Sequence, residues 1–166
     1  MSRGIALVLD EVHDGEVELE SELHRVAQRH HAEHEIVHVA AILARWSLHN
    51  RQDLAPAAER YGKELTQHQD PVGPSPAVEV LREKSAEVPG RGKEGGLLLL
   101  RDLRQLYLQA QGNAVLWTML GQGAQATRDS ELLEVVTQCQ ARTLRQATWC
   151  NATLKTISPQ VLTAAR

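Results

Sequence analysis

The chain of 166 residues reads as all-α: a four-helix bundle with one long connection between its second and third helices. Three observations predict this. Apolar residues recur at steps of three and four over four long windows, the spacing of one helix face. Pro71, Pro74, Pro76 and Pro89, with five of the eleven glycines, are concentrated between residues 69 and 96. No alternation of apolar and polar residues is long enough for a strand. The chain is one domain's worth of sequence, so a single helical domain is expected across residues 1–166.

Composition narrows the function classes. There is no Phe, and Trp46, Trp117, Trp149, Tyr61 and Tyr107 are the aromatics, so aliphatic side chains must fill the core. The net charge of -3 and pI near 6.2 speak against nucleic acid as a partner, because a phosphate-binding surface needs a basic excess. No run approaches the roughly 20 apolar residues of a membrane span. The opening SRGIALVLDE is too short in apolar residues for a secretory leader, and a soluble, cytoplasmic protein is expected. Cys139 and Cys150 are eleven apart on one expected helix, about 16 Å at 1.5 Å per residue, too far to pair. They are expected to be small buried apolar side chains.

The first helix is expected over residues 5–29, on the stripe Ile5, Leu9, Val12, Leu19, Leu23 and Val26. Glu16 fills the one gap in that stripe and therefore faces the core. Gly15 weakens this helix by about 1 kcal/mol without ending it. The polar run RHHAEHE has no Gly or Pro, yet a single helix through residue 67 would be a rod near 90 Å long, so the chain is expected to bend near 30–33. The second helix follows over residues 33–67, apolar on more than one side at Val37, Val39, Ile42, Leu43 and Trp46. Asp53 before Pro56 predicts a fresh cap and a kink near 50–56.

The linker, residues 69–96, has room for one short helix at Ala77–Ala86. The third helix is expected over residues 97–121, with Leu99, Leu103, Leu106, Ala110, Ala114, Trp117 and Leu120 inward. The fourth is expected over residues 129–157, capped by Asp129, carrying Leu132, Val136, Cys139, Thr143, Ala147 and Cys150 inward, and stopped by Pro159. Trp117 and Trp149 should anchor the core, each indole N–H finding an acceptor among the Gln and Asn of the third and fourth helices.

Six of the eight histidines lie between His24 and His49. With the bend near residue 31, residue i of the first helix lies across from about residue 62 minus i. That register forms two groups, Glu20, His24, Glu35 and His38, and His13, Glu16 and His49. Imidazole with carboxylate suits a divalent transition metal such as zinc, iron or manganese. The same residues also serve as solvated helix flanks with local Glu–His pairs. Buried Glu16 needs a partner, and Arg45, His49 or a metal are the candidates.

The helix lengths, the single long connection and the motif Glu35-Ile36-Val37-His38 resemble the ferritin-like superfamily. The resemblance implies a bundle with a metal centre between the helices, built from one carboxylate on each of two helices and a Glu-x-x-His on each of the other two. The sequence departs from this: the third and fourth helices have no histidine, and the apolar stripe of the third carries no Glu or Asp. A degenerate metal centre is therefore expected in a non-enzymatic bundle that acts through its packing surfaces. The alternatives are a transition-metal-binding protein or oxidoreductase using the first hairpin, or a pH sensor built on its histidines. The doubly apolar second helix predicts a homodimer.

Overall fold

The computed structural model describes residues 2–65 and 91–164. They form four helices: α1 (Arg3–Arg29), α2 (His34–Arg60), α3 (Arg91–Thr127) and α4 (Ser130–Ala164), with no strand among the described residues. The all-α expectation holds, and so does the bend. α1 closes at His30, whose backbone N–H bonds to the Val26 carbonyl, and Glu33 N–H bonds back to the His30 carbonyl before α2 begins.

α1 packs on α2 and α3, and α4 packs on α2 and α3. His30 at the end of α1 meets Asp102 near the start of α3, while Ile5 lies against Gly123 near its end, so these helices are antiparallel. Gln146 reaches Leu43 and Arg60 reaches Asp129, so α2 and α4 are antiparallel as well. α2 and α3 therefore run the same way. Of the expected linker, residues 69–90 lie outside the described residues, including the short helix expected at Ala77–Ala86.

Three helices differ from expectation at their ends. α2 stops at Arg60 because Gly62 adopts φ 74°, which lets Gly62 and Lys63 turn their N–H groups back to the Glu59 and Ala58 carbonyls. It is unbroken through Pro56, and Asp53, expected as a cap, pairs with Arg142 instead. α3 begins at Arg91 and runs to Thr127, beyond both expected limits. α4 passes through Pro159 to Ala164. Packing explains this last pair: a Cβ on Gly96 of α3 would lie 2.9 Å from Val161 of α4, so the Gly-rich start of α3 and the end of α4 close against each other. Asp129 caps α4 as expected, accepting the Leu132 N–H at 3.0 Å.

The core is in two pieces. One joins Leu19, Leu23 and Val26 to Leu43, Leu103, Leu106 and Cys150 near the α1–α2 turn. The other joins Ile5, Leu9 and Val12 to Leu54, Trp117, Leu120 and Leu132 at the opposite end. Val39 and Trp46 of α2 and Trp149 of α4 pack against the first, so part of the second apolar side of α2 is used within the chain. A layer of buried polar residues separates the two pieces.

Candidate functional site

The layer starts from one carboxylate. Glu16 takes the place on the α1 stripe where an aliphatic residue would continue it, and it is fully buried. Each of the other three helices turns a donor toward it. Asn50 Nδ2 of α2 donates to Glu16 Oε1 at 3.2 Å, Trp117 Nε1 of α3 at 2.8 Å, and Thr143 Oγ1 of α4 at 3.0 Å. Asn50 Nδ2 also lies 3.2 Å from Thr143 Oγ1, and Arg142 donates to Asn50 Oδ1 at 3.1 Å. Arg142 in turn pairs with Asp53 at 2.6 Å, which links the layer to the surface.

One turn further along, Gln146 Nε2 donates to Ser47 Oγ and to the Leu43 carbonyl, both at 2.9 Å. Glu20 pairs with Arg51, both largely buried. Gly15 lets α3 approach here, since a Cβ would lie 2.4 Å from Asn113 Oδ1. The layer keeps spare hydrogen-bonding capacity: Glu16 Oε2, Gln146 Oε1, Asn113 Nδ2 and Arg51 Nε are buried with no bonded partner among the described residues.

Burial pushes the Glu16 carboxyl above the usual carboxylate range, even though Trp117, Ser47, Thr143 and Asn50 favour its charged form. The buried carboxyl therefore holds its proton to a higher pH than a free one does. Burial likewise pushes the Cys139 and Cys150 thiols up to about 12. Both stay protonated at neutral pH and are poor nucleophiles there, in keeping with the apolar role expected for them.

The residues singled out from sequence divide sharply. His13, Glu16 and Glu20 of α1 are buried, and His13 Nδ1 lies 3.2 Å from Asp14. His24 is half-buried, whereas Glu35, His38 and His49 are exposed. Arg45 and His49, expected as partners for Glu16, are both exposed, and Asn50, Trp117 and Thr143 answer the carboxylate instead. The simple hairpin register is off by about one turn here, pairing Glu16 with position 50 instead of 46. Trp117 finds its acceptor in the carboxylate of α1 and not in an amide of α3 or α4. Among the described residues, no three of His, Cys, Asp and Glu are gathered as a metal ion would require.

Five residues of the layer carry no role in the sequence reading: Ser47, Asn50, Arg51, Asn113 and Gln146. Their signal is a polar residue at heptad distance along an apolar stripe, Asn50 seven beyond Leu43 and Gln146 seven beyond Cys139. No family model, no curated protein and no solved structure matches this chain.

Proposed function

We propose that this protein is a ferritin-like bundle in which a hydrogen-bonded network has replaced the metal centre. It works in the cytoplasm as a non-enzymatic scaffold or adaptor that assembles as a homodimer through its surfaces. The observation that carries the reading is a spacing. Di-metal bundles of this class set one carboxylate on each of two helices and an i, i+3 Glu-x-x-His pair on each of the other two, all inward. Here α1 supplies Glu16, and the inward i, i+3 pairs on α2 and α4 are Ser47 with Asn50 and Thr143 with Gln146. Trp117 stands on α3 where a second carboxylate would be.

This donor set does not fit a di-metal centre. Iron, zinc and manganese favour imidazole and carboxylate over neutral amides and hydroxyls. The two layer carboxylates on the facing side of α1 are already engaged, Glu16 by three donors and Glu20 by the guanidinium of Arg51. What remains is a network that sets the helix register, and outward faces free to meet partners.

Elemental analysis of the purified protein tests this, followed by calorimetric titration with zinc and manganese. The expected result is less than a tenth of an equivalent of bound metal by order of magnitude, with thermal stability unchanged by chelator. About one tightly held equivalent, lost on His38→Ala or His13→Ala, would replace this reading with the transition-metal alternative on the α1–α2 hairpin.

A further inference from the structure

The outward face of α3 differs from every other solvent-facing surface of the bundle. From Gln105 to Thr127 α3 contains no Asp, Glu, Lys, Arg or His. Along this stretch Leu108, Val115 and Met119 are 48%, 58% and 49% exposed, at steps of seven and four that align them on one side. Leu144 of α4 continues the surface at 44% exposed. It lies one turn beyond Gln140, which bridges the α3–α4 seam to Thr118 Oγ1 at 2.7 Å. On α1 and α2 the exposed positions include Glu11, Asp14, Glu18, Arg25, Glu35 and Arg45, and the other large apolar residues left exposed, Leu7, Leu97 and Leu162, stand near helix ends. None of the large apolar residues left exposed belongs to α2.

We infer that a second copy of this chain covers the α3–α4 face, related by a two-fold axis that passes near Gly112, so that α3 meets α3 antiparallel. Three features select this occupant. A two-fold interface brings each patch onto itself, so a charge near the axis faces its own kind, and α3 has none from Gln105 to Thr127. Gly112 lies midway between Leu108 and Val115, and a Cβ there would meet nothing within 4 Å. No contact inside the chain calls for glycine at a place where it weakens the helix, whereas a backbone approached closely by a second helix does. The size also fits. The 23 uncharged residues span about 34 Å, and two adjacent helices about 20 Å, so each partner offers roughly 700 Å², near the ~800 Å² of a standard interface.

The chain itself offers a rival cover in residues 66–90. That segment carries Asp70, Glu79, Arg82, Glu83, Lys84 and Glu87, a poor match for an uncharged surface. The inference deepens the scaffold reading above by naming the surface through which the dimer forms. It places the dimer on α3 and α4, whereas the sequence expectation pointed to α2.

Sedimentation velocity of the full chain at about ten micromolar tests the inference. The wild type should sediment at twice 18.4 kDa. Val115→Glu puts a charge against Leu108 of the second copy and should give monomer with the helical spectrum unchanged, while Glu18→Lys on α1 should leave the dimer intact. Gly112→Cys should cross-link into a disulfide dimer on mild oxidation, and Glu18→Cys should not. This second pair decides the matter if Val115→Glu fails to fold. A wild-type monomer, a dimer that survives Val115→Glu, or no cross-link at Gly112→Cys overturns the inference. Metal analysis reads the central layer and sedimentation reads this face, so a metal-bearing dimer would sink the scaffold reading and spare the interface.

Discussion

The turn between α1 and α2 and the layer midway along the bundle both concentrate polar side chains, and they treat them in opposite ways. At the turn His30 alone is buried, with Nε2 2.8 Å from Asp102 of α3, and Arg29 bonds the same carboxylate at 2.9 Å. His31 is half-buried, and His34 and His38 are exposed. In the layer every member is buried and depends on partners from other helices, with four helices meeting at Glu16. What matters for the fold is whether a second helix answers a polar group. Density along the chain does not measure that.

The largest effect expected from this contrast is at Glu16. Glu16→Ala leaves the Asn50, Trp117 and Thr143 donors unanswered and opens a cavity, for a loss of about 3 kcal/mol or more in denaturant unfolding. Glu16→Gln keeps an acceptor in place and should cost far less. Its pH profile sharpens the point. Because the folded carboxyl titrates above its ordinary 4.5, the native state holds this proton more tightly than the unfolded chain does. The stabilisation is fully present below the unfolded value and is lost as pH rises through the native one. Wild-type stability relative to Glu16→Gln should therefore fall as pH rises from about 4.5. A flat difference would break the claim that burial raises this carboxyl.

At the turn, His30→Ala should cost about 1–3 kcal/mol by removing one of the two side chains that answer buried Asp102. Gly15→Ala comes next. Its methyl would press on Asn113 Oδ1, and the displacement should outweigh the helix propensity gained, for a net loss of about 1 kcal/mol. Thermal unfolding of Gly15→Ala alone and with Asn113→Ser checks the cause, since the second change should recover the loss. The smallest effect belongs to His38→Ala, exposed on α2, expected within about 0.5 kcal/mol of wild type. A loss at His38 as large as that at His30 would erase the distinction between the two kinds of histidine.

A different pH signal should come from the α3–α4 turn. Burial acts to raise Asp129, but the Leu132 N–H, the Tyr61 hydroxyl and the Arg60 guanidinium together hold it below its ordinary 3.8. Its contribution is present above that value and is lost as pH falls, the reverse of Glu16. An Asp129→Asn variant should lose the acid-side part of the stability curve and keep the Glu16 part.

The sequence by itself determined what is local. Four periodic stripes name the helices, RHHAEHE marks the bend, Asp129 caps α4, and the gap at position 16 puts a carboxylate in the core. Each of these depends on residues within a few turns of one another. Only the tertiary structure decided what lies between helices. The answer to Glu16 came from Asn50, Trp117 and Thr143 because one turn of axial offset, about 5.4 Å, exchanges one set of facing side chains for another. Pro159 reads as a stop in sequence, yet α4 continues because Val161 packs against Gly96 of α3. Helix periodicity records which face is inward. The rotation and offset of one helix on another come from the packing of all four, and those two quantities chose the partners of Glu16, Gln146 and Asp102.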